Sequence, residues 1–197
     1  MKKGLIIFGS VIAVIILFVM WGVGKYNGIV KMDEGVNGSW AQVQNQYQRR
    51  MDLIPNLVAT VQGVANFEKS TLTAVIEARA KATQVTLSPQ LLNDPQAFQK
   101  FEQSQSQLGS ALSRLLVTVE QYPNLKANEN FLQLQSQLEG TENRIAVERK
   151  RFNEVVQGYN AHIRTVPTNI IASFGGFQQK AYFQAQAGAE TAPKVQF

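Results

Sequence analysis

The sequence predicts an all-α protein: a single N-terminal transmembrane helix followed by an antiparallel, four-helix-bundle-like domain. Three observations predict it. An uncharged apolar run extends from Leu5 to Val23, diluted only by Gly9, Ser10 and Gly22. Beyond it, apolar residues recur in steps of four and three, the spacing of helices that share a seam, and few stretches alternate as strands do. Proline and glycine fall at the joints between these segments.

At 1.5 Å rise per residue the run reaches roughly 28 Å, about the thickness of a bilayer's hydrocarbon core. Trp21 and Tyr26 stand where interfacial aromatics lie, and Lys25 marks the far edge. The run ends Met20-Trp21-Gly22-Val23-Gly24-Lys25, which offers no small-residue cleavage site, so an uncleaved anchor over residues 1–27, held in lipid through residues 5–23, is expected. With no cysteine there is no residue to acylate, no disulfide and no thiolate chemistry. Lys2, Lys3 and the terminal amine outnumber Lys25 and Lys31, which leans toward a cytoplasmic N-terminus with the domain on the outer side.

The domain is expected over residues 28–175, with a tail over 176–197. Its first helical stretch runs from near Ile29 past Val64, with the seam Val36, Trp40, Val43, Tyr47, Arg50, Ile54, Leu57, Val61 and Val64. Pro55 predicts a kink or break there, because proline removes one helical bond and crowds a carbonyl. A second segment, Phe67 to about Val85, carries Leu72, Val75 and Ile76. Ser88-Pro89 and Asn93-Asp94-Pro95 then read as a loop ending in a helix cap with proline at the first helical position. The next seam is Phe98, Phe101, Gln105, Leu108, Leu112, Leu115 and Val119, stopping before Pro123. The last helix, capped by Asn124 or Asn128, carries Phe131, Leu134, Leu138, Thr141, Ile145, Glu148, Phe152, Val155, Tyr159, His162 and Val166, and Pro167 ends it.

The inventory of reactive groups is thin. One histidine and no cysteine leave zinc without its usual ligands, and no Glu-x-x-His pair precedes His162 to build a di-iron bundle. No nucleophile elbow, phosphate loop or dinucleotide fingerprint occurs, so no enzyme, catalytic residue, metal or cofactor is expected. The net charge of +5 comes without a nucleic-acid-binding motif, and no nucleic acid is expected as partner. Two polar features stand out. Arg50 and Glu148 each lie midway along a seam and would pair inside the bundle if their helices are neighbours, with Arg49, Asp52, Glu142 and Arg144 available to the same network. Arg149, Lys150 and Arg151 form a basic run that reads either as a patch for anionic lipid or as a solvated face with i,i+4 pairs.

Several stretches resemble one family closely. Trp40 with Asn45-Gln46-Tyr47-Gln48-Arg49-Arg50-Met51-Asp52-Leu53-Ile54-Pro55-Asn56-Leu57-Val58 is similar to the signature of the LemA family. So are Tyr122-Pro123-Asn124-Leu125-Lys126-Ala127-Asn128-Glu129-Asn130-Phe131, Gly140-Thr141-Glu142-Asn143-Arg144-Ile145-Ala146, Tyr159-Asn160 and the ending from Phe174 to Phe197. The resemblance implies an anchored bacterial membrane protein with a mostly helical bundle, and it implies no activity. The family is described with its domain in the cytoplasm, opposite to the lysine count here. The resulting expectation is a non-enzymatic scaffold or adaptor in the bacterial cytoplasmic membrane, in contact with other envelope proteins or further copies of itself. Its Gln-rich faces and the tail residues Phe177, Tyr182, Phe183 and Phe197 are the expected contact surfaces. The alternative is a membrane-remodelling or stress-response protein that binds anionic lipid directly.

Overall fold

A computed structural model describes residues 2–64, 67–85 and 87–184, so Phe197 lies outside the described residues, as does the Leu5 side chain. Helix α1 spans Lys2–Gln62, 61 residues without interruption. The apolar run and the first domain helix are therefore one rod, roughly 90 Å long at 1.5 Å per residue. The side chains from Ile6 to Val23 are exposed on every side that can be described. A helix apolar all round and packed against nothing is stable in lipid rather than water, and this one is long and apolar enough to cross a membrane.

Of the kink or break expected at Pro55, the break does not occur: α1 runs on through it. Lacking an N–H, it strands the carbonyl of Met51 four residues earlier. The Arg79 Nε donates to that carbonyl at 3.2 Å, and the proline ring itself faces solvent. A side chain from the next helix thus supplies the missing donor.

After α1 come α2 (Lys69–Thr83), a 3₁₀ turn (Pro89–Asn93), α3 (Pro95–Val119), the short α4 (Pro123–Lys126), α5 (Glu129–Arg164) and α6 (Thr168–Phe174), with no strand among the described residues. The start of α3 is as expected: Asp94 caps it by accepting from the amides of Gln96 and Ala97. Of the two asparagines offered for α5, Asn128 is the cap and accepts from Phe131 N at 3.1 Å. Ile76 is on the outer face of α2, 47% exposed, while Leu72 and Val75 face the core.

The chain climbs α1, descends α2, climbs α3 and descends α5. Two contacts fix the antiparallel register of α1 against α5: Trp40 stacks on Phe152, and ten residues farther up Arg50 meets Glu142 ten residues earlier in α5. The core is in two parts. Near the apolar segment it gathers Ile29, Val36, Trp40, Val43 and Tyr47 with Phe98, Phe101, Ile145, Phe152, Val156 and Tyr159. At the far end it gathers Met51, Ile54, Leu57 and Val61 with residues of α2, the upper half of α3 and the start of α5. Between them lies a buried polar layer of Arg50, Gln105 and Thr141.

The α5 seam departs from the strict heptad. Through Phe152 it holds, and Tyr159 is buried as expected, but Val156, Asn160 and Ile163 are buried where Val155, His162 and Val166 were expected. A straight helix has 3.6 residues per turn, so a 3.5-residue stripe drifts around it and must skip forward over this length. Helix α6 ends in a Schellman motif: Phe177 N donates to Ala172 O at 3.0 Å and Gly176 N to Ser173 O at 3.3 Å. Gly176 takes φ +73°, where a side chain would be strained. At Gly175 a Cβ would lie 2.7 Å from the Phe177 ring and 3.1 Å from the Tyr26 ring, so glycine permits the close approach of α6 to α1.

Candidate docking groove

Helices α3 and α5 face each other across a groove of about 1270 Å³ whose floor is supplied by Tyr47, Arg50 and Leu57 of α1. On α3 it is lined from Gln99 to Leu116, a length of roughly 25 Å, and Ser106, Gly109, Ser110 and Ser113 keep that wall low. On α5 the wall is Leu138, Glu139, Glu142, Asn143, Ile145 and Arg149.

Arg50 is the central group of the floor and is 3% exposed. Its Nη1 donates to Glu142 Oε1 at 2.8 Å, its Nη2 donates to Gln105 Oε1, and the guanidinium stands 5.0 Å from the centre of the Tyr47 ring. Its Nε is buried with no hydrogen-bond partner. Burial pushes the Tyr47 hydroxyl above its ordinary pKa, against the opposing pull of Arg149 and Arg50.

Arg50 does not meet Glu148. The α1–α5 register puts Glu142 level with Arg50, and Glu148 lies six residues, roughly 9 Å, farther along α5. There Glu148 lines a small depression with Gln46, Asn143, Arg144 and Val147, its Oε2 buried without a partner. Of the other residues named for this network, Glu142 joins it. Asp52 instead accepts from Gln48 on the surface, and Arg49 and Arg144 are exposed.

Arg149, Lys150 and Arg151 do not make one patch. Arg149 turns inward: it lies 3.3 Å from Glu102 Oε1, donates to Gln184 O at 3.2 Å, and stands 4.4 Å over the Phe183 ring. Lys150 is exposed with Glu154 4.0 Å away, and Arg151 points to solvent. All three lie near the level of Trp40, which is seventeen residues or roughly 25 Å beyond Val23. That is about three Debye lengths at physiological salt.

At Gln184 the groove meets the end of a strap, residues 177–184, expected from the sequence to belong to a separate tail. Phe183 is 6% exposed and packs on Trp40, Phe98, Phe101 and Phe152. The strap's backbone is held by two asparagines of α5. Asn160 donates to Lys180 O and accepts from Lys180 N, both at 2.9 Å; Asn153 does the same with Phe183, both at 2.9 Å. Phe177 meets Tyr26, Lys180 Nζ reaches Asp33 at 2.9 Å, and Phe183 meets Trp40. Three residues of extended chain cover about 9–10 Å, and seven helical residues cover about 10.5 Å, so the strap keeps step with α1 and α5. The signal was in the sequence: Phe177, Lys180 and Phe183 repeat every three residues, and Asn153 and Asn160 are seven apart. Reading it required knowing that the two segments meet. Ala181 N donates to Leu92 O at 3.0 Å and Gln184 N to Glu102 Oε1 at 3.1 Å, which ties the strap to the 3₁₀ turn and α3. Burial raises the Glu102 carboxyl above its ordinary pKa, although the Gln184 amide and Arg149 oppose the shift. Burial, followed by the Asp33 carboxylate, likewise raises the Tyr159 hydroxyl beside Lys180.

Among the described residues no three His, Asp or Glu side chains gather as metal ligands would. The sequence is similar to magnetosome protein MamQ 2 of Paramagnetospirillum magneticum, at 28% identity over 92% of this chain and 71% of that one. It is similar to magnetosome protein MamQ of Magnetospirillum gryphiswaldense, at 27% identity over 85% and 67%, and to protein LemA of Metamycoplasma hominis, at 26% over 83% and 70%. The model of the LemA family matches residues 39–197, from the first turns of the seam through the strap and beyond, and the chain belongs to the LemA family.

Proposed function

We propose that this protein is a non-enzymatic scaffold of the bacterial cytoplasmic membrane, and that the α3–α5 groove docks a helix of another envelope protein. The groove itself carries the reading. Helix α1 packs closely on α5 and α2 on α3, whereas α3 and α5 stand apart along roughly 25 Å of groove with small residues on one wall. Small residues let a partner backbone approach closely. The continuous α1 rod transmits load or position between the lipid and this groove without a flexible joint. The alternative of direct anionic-lipid binding through Arg149–Arg151 is disfavoured by the height of those residues and by the inward turn of Arg149.

The absence of native cysteine makes the test clean. Ser110→Cys in the groove and Ile76→Cys on the outer face of α2 would each carry a photo-crosslinker in the full chain in native membranes. Adducts of defined mass at 110, absent at 76, are the expected result. The same adducts at both positions, or none at either, would overturn the docking reading. An impermeant maleimide on Gln90→Cys in intact cells reports the domain's side: labelling before lysis fits the orientation proposed here, with the domain outside.

A further inference from the structure

The end of the domain from which the apolar segment emerges carries a second apolar surface. Val166 is 80% exposed, Ile170 55% and Phe174 91%. Ile170 and Phe174 are one turn apart on the outer face of α6, and Val166 precedes them in the turn leaving α5. The inner face of the same helix buries Thr168 and Ala172. Other exposed apolar side chains, such as Val117, Leu132 and Val147, are scattered singly, which is ordinary for a protein surface.

The position of α6 identifies what covers that face. Helix α6 packs on α1, and Gly175, next to Phe174, lies against Tyr26. Tyr26 stands three residues, about 4.5 Å, beyond Val23, the last residue of the apolar run. The headgroup layer of a bilayer extends roughly 5–8 Å outward from its hydrocarbon core. With the run of α1 in the core, Phe174 lies in that layer, in the same belt as Trp21 and Tyr26. Lys25 and the exposed Arg164 flank the face, as basic residues do beside phosphate headgroups.

We infer that α6 is a second membrane contact: Val166, Ile170 and Phe174 seat in the headgroup–acyl boundary of the bilayer that α1 spans. The partner is lipid, and the recognition is apolar insertion with a cationic flank. A lone spanning helix leaves the domain free to rotate about the helix axis. A second contact off that axis fixes which way the α3–α5 groove faces relative to the membrane. This inference rests on the apolar run spanning the bilayer, and it is independent of what the groove binds.

The full chain, reconstituted in vesicles of zwitterionic and anionic lipid, tests it. Phe174→Cys and Ile76→Cys each carry an environment-sensitive dye, and lipids with a nitroxide near the headgroup act as quenchers. The dye at 174 should emit to the blue of the dye at 76 and lose most of its intensity to the nitroxide lipid, at every protein-to-lipid ratio. Val166→Ser with Ile170→Ser should shift the seated-to-free ratio of the corner roughly tenfold or more toward free. Circular dichroism should be unchanged, because Val166 and Ile170 are mostly exposed and stand outside both parts of the core. Equal quenching of the two sites by aqueous iodide, with none by nitroxide lipid, would overturn the inference. Shielding at 174 that disappears on dilution in lipid would also overturn it and assign the face to a second copy.

Discussion

Replacing Glu142 should cost more stability than replacing Arg50, although the two form one ion pair. The Arg50 side chain is 4% exposed and that of Glu142 46%. Glu142→Ala leaves a guanidinium in the core with only Gln105 and the Tyr47 ring beside it, and breaking this part-buried pair costs about 3 kcal/mol, the low end of the range for a fully buried one. Arg50→Met instead leaves Glu142 free to hydrate. Its cost is the stranded Gln105 acceptor, about 1–3 kcal/mol, less whatever packing the methionine side chain gains. Arg50→Met with Gln105→Leu removes that orphan too, and should come within about 1 kcal/mol of the native chain or exceed it. Glu148→Ala should leave stability unchanged or raise it, because Arg50 is not its partner and the replacement removes a buried oxygen that has none. Urea unfolding of the full chain in micelles, followed by circular dichroism, measures all four. Equal losses for Glu142→Ala and Arg50→Met would refute the asymmetry, as would a double replacement worse than either of its components. Strong coupling between Arg50 and Glu148 would refute the register itself.

The remaining expectations concern the strap, the proline and one carboxylate. Asn160→Ala removes both bonds to Lys180, so the amide of Lys180 should lose hydrogen-exchange protection while the α3 core keeps its own; unchanged protection at Lys180 would contradict the clasp. Arg79→Met should cost about 1–2 kcal/mol in the native chain and much less beside Pro55→Ala, which restores an N–H for the Met51 carbonyl; additive losses would show that Arg79 does not serve that carbonyl. Glu102 has a raised pKa in the folded chain, so the folded state holds its proton more tightly than the unfolded state. Stability therefore falls as pH climbs from the unfolded toward the folded value. The advantage of Glu102→Gln over the native chain should accordingly grow from about pH 4 to pH 7, and a difference that stays flat between them would remove burial as the dominant influence on this group.

The seams of α1 and α3 were legible because their residues do one job along one helix face: Trp40, Tyr47, Phe101 and Leu108 are all buried where the periodicity put them. The caps Asp94 and Asn128 were legible for a related reason, since a cap acts on amides two or three residues away. Beyond Phe152 the α5 seam keeps Tyr159 but moves from Val155 and His162 to Val156 and Ile163, because a fixed seven-residue step ignores the drift of a straight helix. The continuity of α1 through Pro55 was not legible, because the donor that serves the Met51 carbonyl comes from twenty-eight residues away.

The sequence by itself therefore determined the helical class, the apolar anchor, the seams and the family, because each is written in local spacing and composition. Only the tertiary structure decided the partner of Arg50, the enclosure of Phe183, the open α3–α5 seam and the placement of α6 beside Tyr26. Those depend on the axial register between helices and on where an extended segment crosses them. A shift of six residues along α5, roughly 9 Å, changes neither periodicity nor composition, yet it exchanges Glu148 for Glu142 at the centre of the domain.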